Sequence, residues 1–201
     1  MANRLILASK SPRRYDLLKQ LGLDFEVIPS KIEEDFVPNE SPREHVMRLA
    51  EAKALDVGNR FPENWVIGAD TIVYVDGIIL GKPKNREEAL EMLRLINGKE
   101  HRVLSGICVS HLKKGKRERE TVETAVRVKV LSLVEMDWYI STGEPFDKAG
   151  GYGIQGIGSC MIESINGSYT NVVGLPLCEL MQMLVRLEAL RITHCKLQIE
   201  N

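Results

Sequence analysis

Ser9-Lys-Ser-Pro-Arg-Arg14 places two guanidiniums in the first turn of a predicted helix and two hydroxyls in the turn that leads into it. Cations at a helix N-terminus oppose the macrodipole, whereas serines, free backbone N–H groups and guanidiniums together form a phosphate site. The same string also reads as an ordinary capped surface helix with solvated arginines. Asp70 stands alone in the apolar run Val66-Ile-Gly-Ala-Asp-Thr-Ile-Val73. A lone acid there is costly unless paired. A metal or a catalytic role supplies that compensation, and so does a strand-end or bulge position bonded to backbone amides near Gly68. Lys53 falls on the apolar stripe of its helix, with positions 46, 49, 50 and 57, facing a site or snorkelling. Lys82 in Gly81-Lys-Pro83 carries the same ambiguity.

Two glycine patterns invite nucleotide readings. Gly77 with Gly81-Lys82 is too closely spaced for a Walker A loop, and proline stands where Ser or Thr is required, so that motif is rejected. Gly151-Tyr-Gly-Ile-Gln-Gly156 matches GxGxxG but lacks a preceding buried strand and a following helix, which argues against a dinucleotide fingerprint. Its glycines let the backbone approach a ligand or simply form a tight loop, with Lys148 and Gln155 as available polar groups. Glu33-Glu34-Asp35 offers hard oxygen ligands for Mg2+, or a solvated acidic face.

The elements that must carry these residues are legible from caps and periodicity. Leu5–Ala8 reads as a buried strand, Ser11 as an N-cap with Pro12 at the first helical position, and Gly22 as the helix stop. Phe25–Ile28 reads as a second strand and 29–40 as a polar, acidic loop. Ser41-Pro-Arg-Glu44 is a capping box opening the helix of Val46, Leu49, Ala50, Lys53, Ala54 and Val57. Trp65–Val75 returns through Asp76-Gly77 to Ile78–Leu80 as a hairpin. Asn85 caps a helix to Ile96, and strands are predicted over Val103–Val109 and Val122–Val130, joined by a charged hairpin Lys113–Glu120. A helix follows near Leu133–Thr142, then a stretch (143–174) holding eight of the 16 glycines, with a hairpin predicted about Asn166-Gly167. Pro176–Leu190 reads as a closing amphipathic helix. The intermixed elements predict one α/β domain over residues 1–190 with a mixed, partly antiparallel sheet flanked by helices, and 191–201 as a frayed tail.

Composition removes several function classes. Lys+Arg 27 against Asp+Glu 28 leaves a net charge of −1, without the electrostatic footprint of a dedicated nucleic-acid binder. Aromatic residues are 5%, too few for an extended base-stacking platform. No apolar stretch approaches the roughly 18 residues of a membrane span, and no signal peptide is legible, so a soluble cytoplasmic protein is expected. Cys108, Cys160, Cys178 and Cys195 form no CxxC pair, and His45, His101, His111 and His194 have no metal-ligand spacing, which argues against structural zinc.

Taken in order, Ala8-Ser-Lys-Ser-Pro-Arg-Arg14, Gly68-Ala-Asp-Thr71, Gly81-Lys-Pro83, Asp147-Lys-Ala-Gly-Gly-Tyr-Gly-Ile-Gln-Gly156, and Ile165-Asn-Gly-Ser-Tyr169 with Asn171-Val-Val-Gly-Leu-Pro176 resemble the Maf family of nucleoside triphosphate pyrophosphatases from Leu5 to about Leu187. The resemblance implies a mixed α/β fold with a deep substrate cleft, related to the inosine triphosphate pyrophosphatases. It implies hydrolysis between the α- and β-phosphates with Mg2+, Mn2+ or a similar divalent cation, and a homodimer. Asp70 matches the family's catalytic aspartate, the general base and a metal neighbour, and Glu34 the second metal carboxylate. Ser9, Ser11, Arg13, Arg14, Lys53 and Lys82 match its polar cleft residues, and Arg13, Thr71 and Gln155 the positions tied to substrate choice. Tyr152-Gly-Ile-Gln-Gly156 looks like the branch acting on dTTP and UTP, modified pyrimidine nucleotides included, rather than on 7-methyl-GTP. A triphosphate carries about four negative charges, so a cation cluster plus a divalent ion suits it. Gln155 can both donate to and accept from a uracil or thymine edge.

The rival class is a regulatory protein of septum inhibition, its basic cleft holding nucleic acid without catalysis. The near-neutral charge and scarce aromatics count against that reading.

Overall fold

The computed structural model describes residues 5–192 and 197–199. His194 and Cys195 lie outside them. Ser11 accepts the Arg14 N–H and opens α1 (Pro12–Gln20). Ser41 and Glu44 close a reciprocal capping box at the start of α2 (Pro42–Arg60). Asn85 caps α3 (Arg86–Ile96), and a second capping box, Ser132 with Glu135, opens α4 (Leu133–Ser141). α5 (Tyr169–Val173) and α6 (Leu177–Arg186) complete the helices of the described residues. Each predicted cap is where the chain turns helical, because a short side-chain oxygen satisfies an N–H that the first turn leaves unbonded.

Seven strands form the main sheet: β1 (Leu5–Leu7), β2 (Phe25–Val27), β3 (Trp65–Val75), β4 (Ile78–Leu80), β5 (Glu100–His111), β6 (Lys116–Val128) and β7 (Ile162–Asn166). Their order is β2-β1-β3-β5-β6-β7, with β4 on β3. β1 pairs in parallel with β2 and β3, while β4 and β7 are antiparallel to β3 and β6, so the sheet is mixed as expected. Two compact units arise from interleaved stretches. One takes the chain up to Asp70, Ser105–Val122 and Gly174 onward; the other takes Thr71–Leu104 and Glu123–Val173. No single cut in the sequence separates them, which is why no linker is visible in the composition.

In the first unit α2 lies against the sheet through Ala50, Ala54 and Val57, packed with Ile6, Ala8, Val66 and Cys108. Two glycines let its backbone come this close. A Cβ on Gly68 would overlap the Ala50 carbonyl oxygen and come 2.7 Å from the Ala54 nitrogen. A Cβ on Gly106 would overlap the Val46 carbonyl and come 2.9 Å from the Met47 nitrogen. Neither neighbour can yield, because both are helix backbone. Gly106→Ala is therefore expected to cost roughly 3 kcal/mol, the upper end of ordinary overpacking, read as a lower urea midpoint with unchanged slope.

The second unit has its own core of Val73, Leu93, Ile96, Val126, Met136 and Tyr139. Three expectations change here and at the C-terminus. The turn at Asn166-Gly167 leads from β7 into α5, not into a strand, because the Ser168 hydroxyl accepts the Asn171 N–H and starts a helical turn. The helix predicted to Leu190 ends at Arg186. Beyond it, β8 (Leu190–Ile192) pairs antiparallel with β9 (Leu197–Ile199), where the sequence reading expects a frayed tail.

Candidate active site

Gly68 and Asp70 share one face of β3, since side chains alternate along a strand. The face that lets α2 descend onto Gly68 therefore also presents Asp70 to that helix. Lys53 follows Ala50 by three positions and so lies on the same helix side. Its Nζ donates to Asp70 Oδ1 at 2.7 Å and reaches Glu34 Oε1 at 2.7 Å. Asp70 and Lys53 are both 6% exposed, whereas the Glu34 side chain is 54% exposed. Asp70 is thus in mid-strand, not at a strand end, and Lys53 does not snorkel. Each compensates the other's burial, and Glu34 gives this buried pair its exposed rim.

Glu34 comes from the acidic loop, which has no regular structure of its own. A side-chain clamp onto α2 holds that loop. Glu40 takes the Arg48 guanidinium bidentately, from Nε at 2.6 Å and Nη2 at 2.8 Å, and meets His45 Nδ1 at 3.0 Å. Arg48 Nη2 also donates to the Asp35 carbonyl at 2.9 Å, and the Phe36 ring stacks on His45 at 4.5 Å. Hydrogen bonding from Arg48 holds the Glu40 carboxyl down at about 2. Sequence reading missed this clamp, although Glu40 ends the acidic loop and Arg48 lies on the next helix, a signal available for an acid–base pair.

The Ser9–Arg14 segment belongs to the same unit. Arg14 Nη1 donates to Ser9 Oγ at 3.3 Å, and the same oxygen accepts the Ser11 N–H at 3.2 Å. Arg14 Nε donates to the Gly174 carbonyl at 2.8 Å, which aims the guanidinium across 160 residues of sequence. Burial lowers the Arg14 pKa, Asp70 and Glu34 raise it, and neighbouring Arg13 lowers it again. The guanidinium therefore lies within the field of the Lys53–Asp70–Glu34 group, and Arg13 within the field of Arg14. Both arginines are partly buried, not solvated on an outer face.

Thr71, Lys82 and Gln155 belong to the second unit. Thr71 follows Asp70 on β3 and is partly exposed, and Lys82 is exposed in the loop after β4. That loop is tied to the glycine-rich segment: Gly150 N–H donates to the Gly81 carbonyl at 2.9 Å, and Gly150 adopts φ 72°. Gln155 precedes a 3-10 turn, Gly156–Met161, and is partly exposed. Buried beneath the segment, Tyr152 meets His101 Nε2 through its hydroxyl at 2.6 Å. Burial lowers the His101 pKa to about 4. Between that value and the ordinary 6.5 the unfolded chain binds the extra proton, so folding stability falls as pH drops through this window. A shift of this size corresponds to about 3 kcal/mol. His101→Phe is expected to flatten the stability profile between pH 6.5 and 4, measured by urea denaturation at half-unit steps.

Glu34 Oε1 and Asp70 Oδ1 converge on Lys53 Nζ, so an ammonium fills the point where these two oxygens meet, although hard carboxylate oxygens are the donor type that suits Mg2+ with phosphate and water completing its shell. Among the described residues no cluster of three or more His, Cys, Asp or Glu could hold a metal by itself.

The site thus comprises a buried carboxylate–lysine pair on a mixed sheet, an exposed second carboxylate and an arginine-rich helix start. The chain belongs to the Maf family: the model described as Maf-like protein matches residues 4–187. Among curated relatives, a dTTP/UTP pyrophosphatase of Syntrophotalea carbinolica is 51% identical over 191 residues, covering 94% of this chain and 86% of that one. Proteins of the same name from Syntrophus aciditrophicus and Caldicellulosiruptor bescii are 49% and 52% identical. Each alignment covers 92% of this chain, with 90% and 94% of the respective relative. No helix of the described residues is long and apolar enough to cross a membrane.

Proposed function

We propose that this protein hydrolyses dTTP and UTP to the nucleoside monophosphate and pyrophosphate, using Asp70 as general base. The observation that carries the reading is the buried Asp70, held through Oδ1 by Lys53 and flanked by Glu34, within the field of Arg14. About half of the residues are shared with relatives named for this activity over most of the chain.

With Oδ1 held by Lys53, Asp70 Oδ2 would take a proton from the attacking water. The water oxygen bonds to the α-phosphorus, the bond from that phosphorus to the bridging oxygen breaks, and pyrophosphate leaves with the electron pair. Arg13, Arg14, Ser9 and Ser11 would bind phosphate oxygens, and Lys82 would add a further cation from the loop after β4. Glu34 and Asp70 would hold the divalent cation, Mg2+ or Mn2+, which when bound neutralises phosphate charge and polarises the P–O bonds. Arg13, Thr71 and Gln155 are assigned to substrate choice, with Gln155 reading the donor and acceptor edge of uracil or thymine. A freely diffusing nucleotide substrate is consistent with a cytoplasmic enzyme.

The test is product analysis. Purified protein with Mg2+ or Mn2+ is incubated separately with dTTP, UTP, CTP and 7-methyl-GTP, and products are resolved by anion exchange. Monophosphate and pyrophosphate in equal amounts from dTTP and UTP are expected. Orthophosphate with a nucleoside diphosphate would place cleavage at the β–γ bond instead. No turnover of any nucleotide by folded, metal-supplied protein would overturn the reading in favour of a non-catalytic binding protein.

A further inference from the structure

The segment that matches GxGxxG is built around two side chains that the proposed reaction does not use. Tyr139 is fully buried on α4, and its hydroxyl accepts the Gly153 N–H at 3.1 Å while donating to Glu144 Oε1 at 3.0 Å. Glu144 uses the same Oε1 to accept the Gly158 N–H at 3.0 Å and Oε2 to accept the Ile157 N–H at 2.9 Å. Backbone amides on both sides of Gln155 are therefore bound by one Tyr–Glu pair. Burial, reinforced by the charge of Glu144 and their hydrogen bond, raises the Tyr139 pKa, so the phenol stays protonated and keeps both of its roles.

Two glycines, Gly156 at the end of the motif and Gly158 just after it, lie directly against this pair, while Gly153 lies against the Lys148 side chain. A Cβ on Gly158 would lie 2.7 Å from the Tyr139 hydroxyl oxygen and overlap the Gly153 carbonyl. A Cβ on Gly156 would lie 2.8 Å from Glu144 Oε2, and Gly156 also sits at φ 68°. The chain wraps so tightly over the two side chains that only hydrogen fits at these positions. Tyr152, anchored on His101 from below, fixes the segment at a third point.

We infer that Tyr139 and Glu144 are positioning residues for Gln155. They act through the backbone amides of residues 153, 157 and 158 to fix where the Gln155 side chain meets the base, and so set the preference for dTTP and UTP over CTP. The inference rests on the assignment of Gln155 as the base reader. A backbone fixed on both sides of Gln155 limits where its side-chain amide can meet the base, and the donor and acceptor order of that edge is what separates uracil or thymine from cytosine.

The experiment compares wild type, Tyr139→Phe, Glu144→Gln, Gln155→Ala and Tyr139→Phe/Gln155→Ala. It measures kcat and KM for dTTP, UTP and CTP, together with amide hydrogen exchange at residues 153, 157 and 158. Tyr139→Phe should speed exchange at Gly153 and lower the dTTP-over-CTP preference in kcat/KM on the order of tenfold, chiefly through KM. In the Gln155→Ala background the same substitution should change that preference no further. Glu144→Gln retains the shape but loses one backbone acceptor, and should speed exchange at Ile157 or Gly158 with a similar loss of preference. It serves as the second variant if Tyr139→Phe fails to fold.

Faster exchange with unaltered preference in either variant would overturn the inference, as would a loss of preference that persists undiminished in the Gln155→Ala background. If Gln155→Ala alone leaves the preference intact, the base-reader assignment fails and takes the inference with it. A wild-type enzyme that releases no pyrophosphate from any nucleotide would instead sink the proposed activity, before any variant is compared.

Discussion

Asp70→Asn is expected to lower kcat for dTTP and UTP by on the order of 10²–10⁴-fold, the usual contribution of a positioned general base. The substitution preserves shape and leaves an amide oxygen to accept from Lys53 Nζ, which now donates to Asp70 Oδ1 at 2.7 Å. Lys53 also keeps Glu34, at 2.7 Å, as its countercharge. Folding should therefore change far less than turnover, and the two readouts separate a chemical role from a structural one. Urea denaturation close to wild type alongside a collapse of pyrophosphate release is the expected pattern. Full turnover by the folded variant would remove Asp70 from the mechanism.

Lys53→Met should damage both properties. Methionine has nearly the same length and no charge, so the buried volume is kept while Asp70 loses its ammonium. A buried carboxylate left without its partner typically costs about 3–5 kcal/mol, and Asp70 is only 6% exposed. Glu34, more than half exposed, can turn to solvent and adds little to the loss. The double variant Lys53→Met/Asp70→Asn should recover most of the lost stability, because it removes the charge that was stranded, yet it should remain inactive. A double variant as unstable as Lys53→Met would show that the lysine stabilises the fold by packing and not by charge.

Both predictions concern a contact that local sequence leaves open. Asp70 in an apolar run demands compensation, and the candidates include a metal, backbone amides and a cation. Lys53 on an apolar stripe is equally compatible with snorkelling. Their pairing becomes visible only when Gly68 and Gly106 admit the backbone of α2 to the sheet, since that approach brings a helix residue over a strand residue 17 positions away. The acidic loop likewise reads as solvated charge until Glu40 is seen clamped by Arg48 and His45, which turns one of its carboxylates towards Lys53.

Failures of sequence reading have the same origin. Asn166-Gly167 carries a strong hairpin signal, yet the chain continues as a helical turn. The Asn171 side chain donates to the Val103 carbonyl at 3.1 Å and to Thr124 Oγ1 at 2.9 Å, contacts with strands far away in sequence. GxGxxG matches a nucleotide fingerprint in spelling, but Gly156 clears space for Glu144 in the turn after α4, Gly153 lies against Lys148, and Gly158 beyond the motif makes room for Tyr139 on α4.

What the sequence determined by itself was local: Ser11, Ser41 and Asn85 as helix caps, the period of the apolar stripes, and the ordered motifs that mark the family. These depend on groups within a few residues of one another, where covalent geometry restricts the choices. Tertiary structure alone decided that Asp70 is neutralised by Lys53, that Arg14 is aimed by the Gly174 carbonyl, and that Gln155 is bracketed by amides bound to one Tyr–Glu pair. Each joins partners separated by 17, 160 and up to 14 residues. Buried polar groups must be satisfied by whatever the fold brings near, and only the packed chain determines which groups those are.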